Sequence, residues 1–211
     1  MRSTSHARNR VVIKAVVFDF GNVICSFDND IFLRKLLPHT DMSFEDLKEG
    51  IFGLDLHRRY ESGLVSSEGF RREAARKCRL SISSEEFFDA YTGIFTPIPA
   101  TIGLIRSLKG RYRVGLLSNT NEWHYEHYFK KVEIFPLFDS VTLSFAVKEM
   151  KPGTGIYRDV LDKLRAGPEE CVYIDDIEEY AEGARRVGMK GIRYVSHDSL
   201  LESLRALGVN A

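Results

Sequence analysis

Residues 11–23 read VVIKAVVFDFGNV, and this stretch decides the fold. Its first eight residues are mostly β-branched and carry a single charge, which is typical of a strand buried on both faces of a sheet. Asp19 follows this strand directly. Ligands of an open parallel sheet bind beyond the carboxyl ends of its strands, so Asp19 is the first candidate for a functional residue.

Four further apolar runs occur later in the chain, at residues 114–117, 141–143, 171–174 and 191–195. Between them, apolar residues recur at helical spacing, as Ile156, Val160 and Leu164 do. Strands that alternate with amphipathic helices predict an α/β fold. We therefore expect a Rossmann-like parallel sheet with helices on both faces.

Residues 27–96 interrupt this alternation, because they show helical periodicity and no convincing strand pattern. Pro38 ends the first of three helical stripes, and Pro97 and Pro99 follow the last. We expect a small all-helical cap inserted after the first strand, with a catalytic core formed by residues 11–26 and 97–211. Residues 1–10 are polar and basic, and we expect a disordered arm there.

The composition is that of an ordinary globular protein and excludes several classes. The 211 residues contain 30 Lys and Arg against 30 Asp and Glu, which argues against binding nucleic acid or a membrane surface through net charge. No apolar run approaches the roughly 18–20 residues that span a bilayer. The cysteines Cys25, Cys78 and Cys171 lack disulfide or metal spacing, so we expect a cytoplasmic protein. We also expect a monomer, since no long apolar stripe is left over.

Polar side chains follow four of the predicted strands. They are Asp19 after the first, Ser118 and Asn119 after the second, Lys151 a few residues after the third, and Asp175 and Asp176 after the fourth. The carboxyl ends of parallel strands meet at one edge of a sheet, so we expect all six side chains to converge on one crevice.

These residue types suit phosphoryl transfer. Clustered carboxylates repel one another unless a cation is present, and Mg²⁺ prefers a few carboxylates, waters and a substrate phosphate. Ser118, Asn119 and Lys151 are donors for phosphate oxygens. A carboxylate beside the phosphorus can then act as the nucleophile. Catalysis of phosphoryl transfer consists mostly of positioning and charge neutralisation, which this set supplies.

The order of these residues resembles the four motifs of the haloacid dehalogenase-like hydrolase superfamily. The resemblance covers roughly residues 11–195. The strings FDFGNVI, LLSNTN, KPGTGIY and VYIDDIEEYAEGARRVGM are most similar to the branch that includes α-D-glucose-1-phosphate phosphatase. Each motif alone is weak, but all four in order at predicted strand ends are strong together.

The resemblance implies a magnesium site and names its ligands. Asp19 matches the nucleophile, which becomes an aspartyl-phosphate and also binds Mg²⁺. Gly21 matches a position whose backbone carbonyl is a metal ligand. Asp176 matches the acidic Mg²⁺ ligand, and Asp175 supports it directly or through water.

The resemblance also implies a phosphate site and an activity. Ser118 and Asn119 match the motif that holds the transferring phosphoryl group, and Lys151 matches the lysine that neutralises nucleophile and phosphate. The implied activity is Mg²⁺-dependent hydrolysis of a phosphomonoester of a small metabolite, above all a sugar phosphate such as glucose 1-phosphate. The cap would be a mobile lid, and its turn at residues 60–66 resembles one that dips toward the site. We interpret Tyr60 and Glu61 there as packing and surface residues, and His124 as part of a polar helix face.

One departure keeps two other functions open. Most phosphatases of the superfamily carry a second Asp as acid/base where this chain has Gly21, so protonation of the leaving group falls to water, the substrate or a cap residue. A metal-free dehalogenase also lacks that Asp, although the pair Asp175 and Asp176 disfavours it because two anions beside the nucleophile need a cation. A catalytically weak member that binds a phosphorylated ligand is the other alternative.

Overall fold

A computed structural model describes residues 11–53 and 55–210. The expectation for residues 1–10 lies outside this range. The seven strands in chain order are β1 (Ala15–Phe18), β2 (Cys25–Phe27), β3 (Phe95–Pro97), β4 (Arg113–Ser118), β5 (Ser140–Leu143), β6 (Cys171–Asp175) and β7 (Lys190–Arg193).

Five of the strands form a parallel sheet in the order β5-β4-β1-β6-β7. This confirms the predicted fold class. The strand β1 lies at the centre, and the chain moves to β4 and β5 on one side before it returns to β6 and β7 on the other. The carboxyl ends of β1, β4 and β6 therefore lie side by side where the strand order reverses, which is where such sheets bind ligands. The first strand is shorter than expected: it begins at Ala15, and Val11 and Val12 are exposed.

The helices in chain order are α1 (Asn29–Leu36), α2 (Phe44–Lys48), α3 (Asp55–Glu61), α4 (Ser67–Lys77), α5 (Ser84–Thr92), α6 (Pro99–Leu108), α7 (Glu122–His127), α8 (Ser144–Val147), α9 (Thr154–Leu164), α10 (Glu178–Arg186) and α11 (His197–Ala206). Several begin at a side-chain cap: the hydroxyls of Ser43, Ser66, Ser83 and Ser196 each accept a first-turn N–H. Among the described residues, no helix is both long and apolar enough to cross a bilayer.

Alternate residues of the central strand face opposite sides of the sheet, as strand geometry requires. Val16 and Phe18 pack with α6 and α11 on one face, whereas Ala15 and Val17 pack with α9 and α10 on the other. All four of these β1 residues are fully buried. The sheet is therefore covered on both faces, so its carboxyl edge is where polar side chains gather.

The helices α1 to α5 form a separate apolar cluster over that edge. Its largest members are aromatic, with Phe32, Tyr60, Phe70, Phe87 and Tyr91 packed ring against ring and fully or almost fully buried. The expectation of no strand within residues 27–96 is wrong at both ends, because β2 and β3 pair antiparallel there. Each of these strands has only three residues, which is too short for an alternating pattern to stand out.

Candidate active site

Asp19 lies immediately after β1, at the centre of the carboxyl edge. Its backbone N–H donates to the carbonyl of Ile174 in β6 (2.9 Å), so the register of the sheet sets its position. The chain then turns sharply, and Asn22 adopts a left-handed conformation with φ 53°. The Asp19 side chain is almost completely buried. A buried carboxylate of this kind requires charged or hydrogen-bonding partners.

Lys151 is the charged partner of Asp19 and lies at the centre of the site. Its ammonium Nζ is 2.8 Å from Oδ1 of Asp19 and 2.6 Å from Oδ2 of Asp175. It also donates to the hydroxyl of Tyr173 (2.9 Å) and lies 4.9 Å from the centre of the Tyr180 ring. The structure thus brings together residues separated by more than a hundred positions, as the sheet topology led us to expect.

Asp175 and Asp176 follow β6 and differ in their surroundings. Asp175 is fully buried, and both its oxygens are engaged: Oδ2 accepts from Lys151 and Tyr173, and Oδ1 accepts from the backbone N–H of Ile177 (2.9 Å). Asp176 is half-buried, and its Oδ2 accepts from Nδ2 of Asn22 (3.0 Å). Asp175 is therefore suited to orienting Lys151, and Asp176 is the carboxylate more open to a ligand.

Ser118 and Asn119 lie at the end of β4, beside Asp19. Ser118 is buried, and its hydroxyl makes only a long contact with the carbonyl of Asn119 (3.3 Å). The Asn119 side chain binds the backbone of Lys151 twice: Oδ1 accepts from its N–H (2.8 Å), and Nδ2 donates to its carbonyl (3.2 Å). The Asn119 amide therefore positions Lys151, a contact that the sequence did not indicate.

Gly21 is the last of the site residues predicted from the sequence, and it lies beside the Asp19 carboxylate. A methyl group built at Gly21 would come 3.9 Å from Oδ2 of Asp19 and 2.9 Å from Cε1 of Phe27. The Phe27 ring therefore occupies the space that a side chain at position 21 would need. All seven residues named from the sequence thus lie at one edge of the sheet.

Burial and mutual repulsion perturb the acid groups. Burial raises the pKa of Asp19 to about 7, with Lys151 opposing the rise and Asp175 adding to it. Burial also raises the pKa of Asp176. Burial of the Lys151 ammonium works against its charge, but Asp19 and Asp175 outweigh this and hold its pKa above the usual range. Negative charge is therefore in excess at this site.

The donor set fits a divalent magnesium ion. Asp19, Asp175 and Asp176 each offer an oxygen, and the three oxygens lie within 4.8 Å of one another. Lys151 is the ammonium paired with two of them, and the remaining charge matches a hard cation that takes oxygen ligands. A cation here would also lower the cost of ionising Asp19 and Asp176.

A cleft of about 400 Å³, partly open to solvent, adjoins this group between the sheet and the helices α1 to α5. Gly21, Ser118 and Asn119 line its floor. Its walls carry apolar side chains together with polar ones, which are Asn29, His57, Glu61, Thr120 and His124. Tyr60 is buried, as we expected of a packing residue, whereas Glu61 is partly exposed and lines this cleft.

A buried ammonium between carboxylates, a three-carboxylate cation site and an adjoining cleft define a metal-assisted hydrolase with an aspartate at its centre. Comparison with known proteins identifies the family. Residues 13–188 match the family described as haloacid dehalogenase-like hydrolase. The chain therefore belongs to this family of hydrolases.

Individual relatives agree with this assignment. The chain is 30% identical over 178 residues to D-ribitol-5-phosphate phosphatase of Bacteroides thetaiotaomicron, a match that covers 78% of this chain and 84% of the relative. A HAD-like hydrolase from Porphyromonas gingivalis has the same fold, with a TM-score of 0.80, 24% identity and coverage of 95% of this chain and all of that one. A HAD family enzyme of B. thetaiotaomicron, solved with magnesium and inorganic phosphate, superposes with a TM-score of 0.73 at 22% identity, covering 87% and 94% of the two chains.

Proposed function

We propose that the chain hydrolyses the phosphomonoester of a sugar or sugar alcohol, with Asp19 as the nucleophile and Mg²⁺ as the cofactor. One observation carries the proposal: Nζ of Lys151 lies within 2.8 Å of two carboxylates from neighbouring strand ends, and Asp176 adds a third. An ion-paired, buried aspartate beside a cation site is suited to attack on phosphorus.

The reaction has two displacements on phosphorus. An oxygen of Asp19 attacks, an aspartyl-phosphate forms, and the bond to the alcohol oxygen breaks. Water then attacks the same phosphorus, which releases phosphate and restores the carboxylate. Lys151 neutralises the charge that Asp19 and the phosphate oxygens share, while Asp175 and Asn119 hold Lys151 in place.

The remaining site residues bind phosphate and metal. The Ser118 hydroxyl donates to a phosphate oxygen, and Asn119 assists through its backbone. Mg²⁺, when bound, neutralises charge on the phosphate and screens Asp19 from its neighbouring carboxylates. Asp19, Asp176 and the backbone carbonyl of Gly21 would hold the ion, and Asp175 would support them directly or through water.

The residues that line the cleft support this substrate class. Glu61, Asn29 and His57 offer acceptors and donors for hydroxyl groups, and the Glu61 carboxylate disfavours a second anionic group on the substrate. The relative that acts on ribitol 5-phosphate supports a polyol chain. Ribitol 5-phosphate and glucose 1-phosphate are therefore the first two substrates to assay.

Residues 27–96 act as the cap in this proposal, on a core of residues 11–26 and 97–211. The cap helices bring His57 and Glu61 to the cleft, so they choose the substrate. The protein works as a cytoplasmic monomer in this proposal, and its three cysteines are buried free thiols, as a reducing compartment allows. Light scattering at several concentrations tests the monomer, and a concentration-dependent mass would contradict it.

Phosphate release from sugar and polyol phosphates tests the activity. The wild type should release phosphate with Mg²⁺ and lose this activity in EDTA. Asp19→Asn should abolish release while the fold persists, and Asp198→Asn, an exposed change on α11, is the matched control. Halide release from 2-chloropropionate in EDTA, without phosphate release, would indicate the dehalogenase instead. Binding of phosphate with Mg²⁺ but no turnover on any substrate would indicate the weak, ligand-binding alternative.

A further inference from the structure

Gly21 leaves the phosphatase site without a proton-transferring side chain beside the nucleophile. Glycine has no side chain that could carry a proton, and the Phe27 ring lies 2.9 Å from where a Cβ at this position would be. An alkoxide is a poor leaving group unless it is protonated as the bond to phosphorus breaks. The proton then comes from water, from the substrate or from a side chain of another element that faces the cleft.

His57 on α3 is the side chain that meets this requirement. It lines the cleft together with Gly21 and Ser118, and its side chain is 18% exposed. Imidazole gives and takes protons near neutral pH more readily than other side chains do. His124 also lines the cleft, but burial lowers its pKa to about 3, so it stays neutral in the working range.

Two polar side chains flank the His57 ring, and one of them forms a hydrogen bond with it. Its Nε2 lies 3.1 Å from the hydroxyl of Tyr91, which can donate to a neutral imidazole or accept from a charged one. Its Nδ1 lies 3.9 Å from Oε2 of Glu61, beyond hydrogen-bond length, so this nitrogen remains available to a ligand. The ring is thus fixed at one nitrogen and open at the other.

The helix that carries His57 is fastened to the phosphate motif. The buried hydroxyl of Ser144 donates to the carbonyl of Glu61 (2.6 Å) and accepts from the N–H of Thr120 (2.9 Å). Thr120 directly follows Ser118 and Asn119. Therefore the end of α3, one turn beyond His57, is held at the loop where the phosphoryl group would bind.

We propose that His57 is the general acid and base of this enzyme and takes the role that Gly21 cannot fill. The proposal rests on the phosphatase function above. As Asp19 attacks phosphorus, the bond to the alcohol oxygen breaks and that oxygen takes a proton from Nδ1 of His57. As water attacks the aspartyl-phosphate, Nδ1 accepts a proton from the water, and phosphate leaves with Asp19 restored. Tyr91 is the positioning residue that orients the ring, and the Glu61 carboxylate lies beside Nδ1.

The dependence on leaving group tests this role. p-Nitrophenyl phosphate releases p-nitrophenolate, which leaves without being protonated. Ribitol 5-phosphate releases an alcohol, whose oxygen must be protonated as it leaves. For His57→Gln, kcat/KM on ribitol 5-phosphate should fall by about 10²–10⁴-fold, which is the usual contribution of general acid–base catalysis. On p-nitrophenyl phosphate it should change by less than about tenfold on the same grounds. Glu61→Gln should give a smaller loss, again confined to ribitol 5-phosphate.

His127→Gln is the matched control, because His127 is exposed on α7 and packs against the Phe88 ring. It should match the wild type on both substrates. Retained p-nitrophenyl phosphate activity shows that the His57 variant is folded. An equal loss on both substrates, or no loss on ribitol 5-phosphate, would overturn the role of His57 and leave the phosphatase function intact. Failure of the wild type to hydrolyse either substrate would overturn both proposals.

Discussion

Replacing Lys151 with Met tests how the charges of the site are held. The ammonium is 1% exposed and lies 2.8 Å from Asp19 and 2.6 Å from Asp175, whose side chains are 10% and 0% exposed. Met has a similar length without the charge, so the substitution leaves buried carboxylates without their counterion. Removing one partner of a buried ion pair costs about 3–5 kcal/mol. For a chain of this size, that corresponds to a melting temperature lower by roughly 6–20 °C.

Thermal unfolding at pH 7.5 in EDTA measures this loss. Lys130→Met is the matched control, because Nζ of Lys130 lies 2.8 Å from Glu126 in an exposed pair that solvent screens. Lowering the pH to 5 should reduce the difference in melting temperature between the wild type and Lys151→Met, because protonation removes the charge of the unpaired carboxylates. A Lys151 variant no less stable than the Lys130 variant would refute the reasoning that this ammonium compensates the buried charge.

Two further predictions concern residues around the site. Gly21→Ala should destabilise the protein by no more than about 1 kcal/mol, since its methyl would meet the Phe27 ring at 2.9 Å and that ring is 41% exposed and can turn away. Urea unfolding measures this change, and a loss as large as that of Lys151→Met would contradict the reasoning. Burial lowers the pKa of His124 from 6.5 to about 3. As the pH falls from 6.5 toward 3, this histidine binds a proton in the unfolded chain before it does so in the folded protein, so the free energy of unfolding decreases. His124→Asn should flatten this slope between pH 6.5 and 4, and a slope equal to the wild type's would contradict it.

The sheet could be predicted because its strands are buried on both faces and end at polar residues. The same reasoning predicted that Asp19, Lys151 and Asp175 lie at the carboxyl edge of the sheet, because the strand order determines which strand ends are neighbours. Tyr173 was missed as a partner of Lys151 because it reads as one more apolar strand residue. Its position two residues before Asp175 could have indicated this contact, because side chains two residues apart in a strand point to the same face.

Contacts between distant elements could not be predicted in this way. His124 was interpreted as part of a polar helix face, and this was wrong: its ring stacks on Tyr91 at 4.3 Å and is buried. The partner comes from α5, whose position over the sheet depends on the packing of the whole aromatic cluster. The same holds for His57: the turn at residues 60–66 resembled one near the site, but nothing in the sequence around His57 indicates that it lines the cleft.

The central claim is that Asp19 takes up a phosphoryl group, and a crystal structure with Mg²⁺ and beryllium fluoride tests it most directly. Beryllium trifluoride mimics a phosphoryl group on a carboxylate. We predict electron density joining beryllium to an oxygen of Asp19, with fluorines in contact with Lys151 and Ser118. Beryllium bound at another residue, with the Asp19 carboxylate free and still paired to Lys151, would contradict the account.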